Sequence, residues 1–193
     1  MNIHSLHHYL TNLSESEEHY RSGYPFSGWS QLPKVQIHGR EMYRMFPDNL
    51  IFSSMHGENP VSSHNFDIPV GLQDISIKRN SRFNPVPEHV HSHIEINYVY
   101  SGTCPQYIDG KPVLLKKDQV LLIDTDCPHS IDALGENDIM ISMLIRKEFL
   151  RDRMFSQFSK DSVLSRFFVN ALTEQTDHDH YLLFHSEKDR RIP

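Results

Sequence analysis

"EHVHSHIEINYVYSG", residues 88–102, sets three histidines at alternate positions and a glutamate two residues after the last of them. Imidazole nitrogens and a carboxylate oxygen are the donors that zinc, iron(II), manganese, nickel or copper accept. The same residue types line polar small-molecule pockets, and in a chain with 14 histidines a histidine-rich strand could carry no function at all. Alternate residues of a strand point to one face, so His89 and His91 can converge on one point. Glu95 cannot join them on a straight strand, because six residues at about 3.3 Å each place it about 20 Å from His89. A shared site therefore predicts a turn through Ser92, His93 and Ile94. His93 would then face solvent and Glu95 would open the next strand. Asn97 falls on the same face as Glu95, which makes it a candidate lining residue of the same site.

A second cluster lies downstream. "KKDQVLLIDTDCPHS", residues 116–130, reads as a four-residue apolar strand, a polar turn and then His129. Between and around the two clusters, "LQDISIKR", "EINYVY", "QYI", "VLLI" and "IMISMLI" are short runs enriched in Ile, Val and Tyr, separated by turn signals. Asp109–Gly110 is a hairpin turn by composition, since glycine supplies the positive φ that two-residue turns require. Short strands at this spacing predict an antiparallel sandwich or barrel over residues 71–146.

The flanks read differently. In residues 1–70, "IHSLHHYLTNL" has the spacing of a short amphipathic helix. "GREMYRMF" reads as another short helical turn, and "SSMHGENPVSSHNFDIPVG" as loop. This segment is expected to be an arm with short helices. After residue 146, "KEFLRDRMFSQF" and "DSVLSRFFVNAL" read as two helices. In the second, Val163, Leu164, Phe167, Phe168, Ala171 and Leu172 share one face, with Asp161 or Ser162 able to cap its start. That face is either core packing or a homodimer seam within residues 147–173. "DHDH", residues 177–180, is expected to be a solvated loop, and Cys127 an inert buried thiol beside His129.

Bulk properties narrow the classes. A chain of 193 residues has room for one good core. Its 19 basic and 25 acidic residues give a formal net charge of −6, which makes the chain by itself a poor phosphate-backbone binder. Two cysteines, Cys104 and Cys127, in no paired spacing, suggest a reducing, cytoplasmic setting rather than a disulfide framework. The N-terminus has no basic–apolar signal pattern, and no run approaches the roughly 20 apolar residues of a membrane span.

The spacing His89-x-His91-x3-Glu95-x6-Gly102 resembles the first motif of the cupin superfamily, and Asp118 through His129 resembles the second. Some turn residues depart from the pattern: the expected glycine of the first motif falls on Phe83. In the second motif the expected Gly, Pro and Gly fall on Asp118, Asp124 and Asp126, and the terminal Asn on Ala133. "HVHSHIEINYVYSG" with two trailing helices looks more narrowly like the N-terminal sensor domain of AraC-type transcription regulators, matched at His89, His91, Glu95, Ile96, Tyr98, Val99 and Gly102.

That resemblance, covering about residues 72–193, implies a mainly β fold: a cupin jelly-roll β-barrel, then two C-terminal α-helices. It also implies a small polar effector, with a sugar among the candidates, bound inside the barrel by His89, His91, Glu95, Asn97 and His129, and no catalytic residues. The helical segment 147–193 would make a homodimer and lead to a DNA-binding helix-turn-helix part not contained in this chain. The same resemblance leaves open a divalent transition metal (Zn, Fe, Mn or Ni) on His89, His91, Glu95 and His129. A metal-dependent cupin enzyme, a small dioxygenase or isomerase, is the alternative.

Overall fold

The computed structural model describes residues 3–45, 74–154, 162–173 and 179–184. The loop read at residues 53–71, the end of the first trailing helix, Asp177 and His178 of "DHDH", and the tail after Phe184 lie outside the described residues.

Two short helices open the chain: α1 (Ile3–Thr11) and α2 (Glu15–Arg21). Ser14 starts α2 with a capping box, its hydroxyl accepting from Glu17 N while its own N–H donates to the Glu17 carboxylate. Next come β1 (Lys34–Ile37) and β2 (Arg40–Arg44), so Arg40–Arg44 of the stretch expected to be a helical turn form a strand instead. The reason lies in the preceding His38–Gly39, both at positive φ, which close a two-residue hairpin pairing Ile37 with Arg40.

Eight strands then follow: β3 (Ile75–Arg79), β4 (Val86–Val90), β5 (His93–Ser101), β6 (Thr103–Ile108), β7 (Lys111–Lys116), β8 (Val120–Ile123), β9 (His129–Ile131) and β10 (Ile139–Arg146). The hairpin at Asp109–Gly110 is present, both residues at positive φ and Ile108 paired with Lys111. A single helical turn, α3 (Lys147–Phe149), runs into a wider π turn over Leu150–Met154. Last come α4 (Val163–Thr173) and β11 (Tyr181–Phe184).

The strands form two sheets, β1-β2-β4-β9-β6-β7 and β11-β8-β5-β10-β3. The expected jelly-roll β-barrel is here two separately bonded sheets facing each other, with β1 and β2 from before residue 70 and β11 from after residue 147 drawn into them. Of the two trailing helices expected, α4 is complete and the first is a short turn within the described residues. No described helix is long and apolar enough to cross a membrane.

Alternation decides what each face buries. Val99, Leu121, Ile123 and Met140 of one sheet meet Cys104, Ile108, Val113, Leu115 and Ile131 of the other in the central core. The opposite face of the five-stranded sheet carries Ile94, Leu122 and Ile145, which pack with Leu150 against Phe167, Phe168 and Ala171 of α4. The phenylalanine stripe of α4 is therefore spent within the chain. Val163, expected on that stripe, is 53% exposed, because it opens the helix beyond the edge of the packed face. Ser162 provides the cap, its hydroxyl accepting from Ser165 N; Asp161 lies outside the described residues.

Candidate functional site

The histidine stretch breaks where β4 ends and β5 begins. The turn that convergence requires is present, but it falls at His91–Ser92, and His93 already belongs to β5. His93 is buried, at 4% exposure, and not the solvent-facing turn residue expected; pairing with Arg146 of β10 extends the strand back to it. Glu95 and Asn97 follow on one face of β5, both buried. His129 opens β9 directly opposite His89.

These placements bring His89, His91, Glu95 and His129 together: one donor atom from each lies within 4.8 Å of all the others, and all four side chains are buried. The His89 and His129 rings are 4.0 Å apart, and His91 and His129 5.0 Å. Each imidazole is oriented by a backbone carbonyl. Nδ1 of His89 lies 2.9 Å from Pro87 O, Nδ1 of His91 3.0 Å from His93 O, and Nδ1 of His129 2.9 Å from Cys127 O. A carbonyl only accepts, so each Nδ1 carries the proton and each Nε2 is the nitrogen turned toward the site. Fixing the outer nitrogen in this way is how proteins orient imidazoles toward metal ions.

Glu95 closes the cluster. Its Oε2 lies 2.8 Å from His91 Nε2 and 3.2 Å from His129 Nε2. With both Nδ1 protons committed to carbonyls, an acceptor faces an acceptor unless a proton or a metal cation lies between them. Burial would raise the Glu95 carboxyl, but the facing His129 and His91 rings outweigh it and hold the group well below the usual carboxylate range. Burial drives His89 well below the ordinary histidine value, and the neighbouring His129 and His91 add to the effect. The residues fit a divalent transition metal: three Nε2 atoms and one carboxylate, preset and dry.

Cys127 is free and buried, and burial pushes its thiol up to about 12, so it stays protonated. It serves the site through its backbone carbonyl, which holds His129. Of "DHDH", Asp179 is exposed and His180 half-buried; His180 O accepts from Asp124 N.

Sequence reasoning passed over a second polar group between the sheets. On β3 the alternation sends Ser76 and Lys78 inward, Asn80 just beyond it is buried, and Ser142 interrupts the apolar run 139–145 of β10. A polar residue recurring at period two inside an apolar strand was the available signal. Burial lowers the Lys78 ammonium below the ordinary lysine value, and the Glu95 charge partly restores it. Lys78 is nonetheless part-exposed, so solvent reaches it.

The backbone explains how altered motifs keep their shape. Phe83, Asp118 and Asp126 stand where cupin motifs place glycine, and all three adopt positive φ, of 64°, 65° and 54°. The left-handed turns survive with Asp, which tolerates them, and with Phe, which does not do so readily.

The family comparison agrees with this geometry. Residues 77–161 match the family described as AraC-like ligand binding domain. Among curated proteins no significant match is found. Similar solved structures include a cupin 2 conserved barrel domain protein from Leptotrichia buccalis, at 25% identity and TM-score 0.33, covering 37% of this chain and 35% of that one. A mutant form of salicylate 1,2-dioxygenase from Pseudoaminobacter salicylatoxidans is 23% identical, with TM-score 0.33 over 37% of this chain and 21% of that one. Unsaturated fatty acid bound ToxT from Vibrio cholerae is 12% identical, with TM-score 0.39 over 57% of this chain and 39% of that one. The chain thus spans from about a fifth to under two fifths of the length of these structures. Over residues 77–161 the chain is thus similar to the AraC-like ligand binding domain family.

Proposed function

We propose that this chain is the sensing portion of an AraC-type transcription regulator, taking a small polar effector between its two sheets. The observation that carries the reading is the convergence of His89, His91, Glu95 and His129 on one point, each imidazole preset by a carbonyl. Asn97, buried two residues beyond Glu95, extends the polar surface available to an effector. A divalent transition metal on the four side chains would supply a Lewis-acidic anchor for the effector. The protein's own part is to hold the donors dry and fixed.

Signalling then requires that the effector bind two arrangements of the molecule unequally. A homodimer through residues 147–173 belongs to this reading. Phe167 and Phe168 are committed to the chain's own sheet, so the contact falls to the outward Val163 and Val169 of α4. With a formal net charge of −6 on this portion, DNA contact falls to helix-turn-helix units joined to it.

The donor set also favours a second reading, a metal-dependent cupin enzyme such as a small dioxygenase or isomerase. Metal analysis of protein purified without chelator, followed by incubation with bound solutes, separates the two. The sensor reading expects solutes recovered unchanged; turnover that disappears in His91→Ala/Glu95→Ala would replace it with the enzyme.

A further inference from the structure

Strand β11 is the outermost strand of the five-stranded sheet, bonded to β8 alone among the described residues. Tyr181, Leu182 and Leu183 are half-buried and Phe184 is exposed. Tyr181 and Leu183 pack on the central core, and Leu182 on the core beneath α4. A short, half-buried edge strand opens at lower free energy than the strands it pairs with.

The register sets this edge strand beside the histidine cluster. Glu95 of β5 lies opposite Ile123 of β8, and Ile123 lies opposite Tyr181, so Glu95 and Tyr181 share one row across the sheet. The turn 124–128 leaves β8 at that row and ends at His129. Its backbone is tied on both sides. Asp124 N donates to His180 O at 2.9 Å, one residue before β11, and Asp126 N donates to His91 O at 2.8 Å. Cys127 O, in the same turn, accepts from His129 Nδ1 at 2.9 Å. One turn therefore holds two of the four convergent side chains and the entrance to β11.

The tie to β11 exists through a departure from the cupin motif. Asp124 stands where the motif expects proline, and proline has no N–H to give to His180 O. The Asp124 side chain keeps the turn closed in place of the proline ring, its Oδ1 accepting from Thr125 N at 2.6 Å and from Thr125 Oγ1 at 3.3 Å.

We propose that the turn 124–128 couples occupation of the four-residue site to the docking of β11 on β8. The inference deepens the metal-anchored reading above and rests on it, since it supplies the element that reports an occupied site. Holding His91 and His129 on one shared cation fixes the acceptor of Asp126 N and the segment that follows it. A turn fixed at its far end presents the Asp124 N–H to His180 O in one place, and β11 detaches less often. The coupling is reciprocal, so a docked β11 also strengthens binding at the site.

The test is hydrogen exchange, read by mass spectrometry, on the full 193-residue chain after chelator treatment, without and with zinc. Zinc is expected to slow exchange over Tyr181–Phe184 by about fivefold or more. Asp124→Pro should abolish that slowing while zinc still binds, and Asp124→Asn, which keeps the N–H, should retain it. Leu183→Asp lies outside the turn and the histidine cluster. By releasing β11 it should weaken zinc by about fivefold or more in calorimetric titration. If Leu183→Asp does not fold, Leu183→Ala takes its place. Zinc bound with β11 exchange unchanged, slowing that persists in Asp124→Pro, or a Leu183 variant that binds zinc as tightly as the unaltered chain overturns the coupling alone. No zinc binding by the unaltered chain overturns the metal-anchored reading together with it.

Discussion

His91 Nε2 lies 2.8 Å from Glu95 Oε2, four residues along the chain, although a straight strand would carry the two side chains well apart. The break at His91–Ser92 folds them together, and His129 arrives from β9 to meet the same carboxylate oxygen at 3.2 Å. The site is therefore a product of one chain reversal and one cross-strand pairing, His89 opposite His129. It depends on the sheets staying in register.

Gly102 guards that register at the end of β5. It sits at φ +70°, and a Cβ there would meet the Asp138 carboxylate at 2.0 Å and backbone atoms of Asn137 and Asp138 at 3.0 Å. Gly102→Ala combines a left-handed penalty of about 1–2 kcal/mol with an overlap that backbone cannot easily relieve. Urea denaturation should show a loss of at least about 2 kcal/mol; a loss under about 0.5 kcal/mol would mean the turn is free to rearrange.

Glu17 ties the N-terminal helices to the sheets. Its carboxylate accepts from Arg79 Nη2 at 2.7 Å and from Arg82 N, Nε and Nη2 at 3.0 to 3.1 Å. The guanidinium of Arg82 also donates to the carbonyls of Thr11, Asn12 and Glu136. Removing the carboxylate strands two largely buried cations. Glu17→Ala should destabilise the chain by about 3–5 kcal/mol in denaturant titration. A loss below about 1 kcal/mol would show that the N-terminal helices contribute little to the folded unit.

The same carboxylate sets a pH dependence. Burial alone would raise the Glu17 carboxyl, but hydrogen bonds from Arg82 and Ser14 and the charge of Arg79 together lower it below its ordinary 4.5. A carboxyl depressed by folding contributes stability that is complete above its unfolded value and is lost as pH falls through the lower folded one. Stability should therefore decline as pH drops below about 4.5, and Glu17→Gln should flatten that slope. A slope unchanged in the variant would assign the acid sensitivity to other groups.

Phe168 of α4 separates core from seam. Its burial against the outer face of the sheet predicts that Phe168→Ala costs about 3–5 kcal/mol. Its sedimentation coefficient should match that of the unaltered chain, whereas Val163→Glu/Val169→Glu should shift a dimer toward monomer. A change of assembly in Phe168→Ala without loss of stability would reverse the two roles.

Much of this was legible in the residues. Short strands with a glycine turn announced a mainly β architecture, and the spacing of His89, His91, Glu95 and His129 anticipated that these four side chains converge. The strand arithmetic required a reversal before Glu95 but could not place it, since neither Ser92 nor His93 dictates a turn; His93 was buried by a strand pairing to Arg146 that lies 53 residues away. "GREMYRMF" misled because Met42 and Met45, three apart, suit a helical face as well as a strand whose partner is distant. Lys78 and Asn97 share a row only because both pair with Ser142 of β10, and Glu17 meets Arg82 65 residues on. Pairings of that range are set by the whole fold and leave no local periodicity.

Everything proposed for the site depends on the four convergent side chains binding as a unit. Calorimetric titration of zinc into chelator-treated protein tests this most directly. One saturable site per chain is expected, absent from a folded His91→Ala/Glu95→Ala variant. No saturable binding, or binding unchanged by the double substitution, would contradict the proposed metal-anchored site.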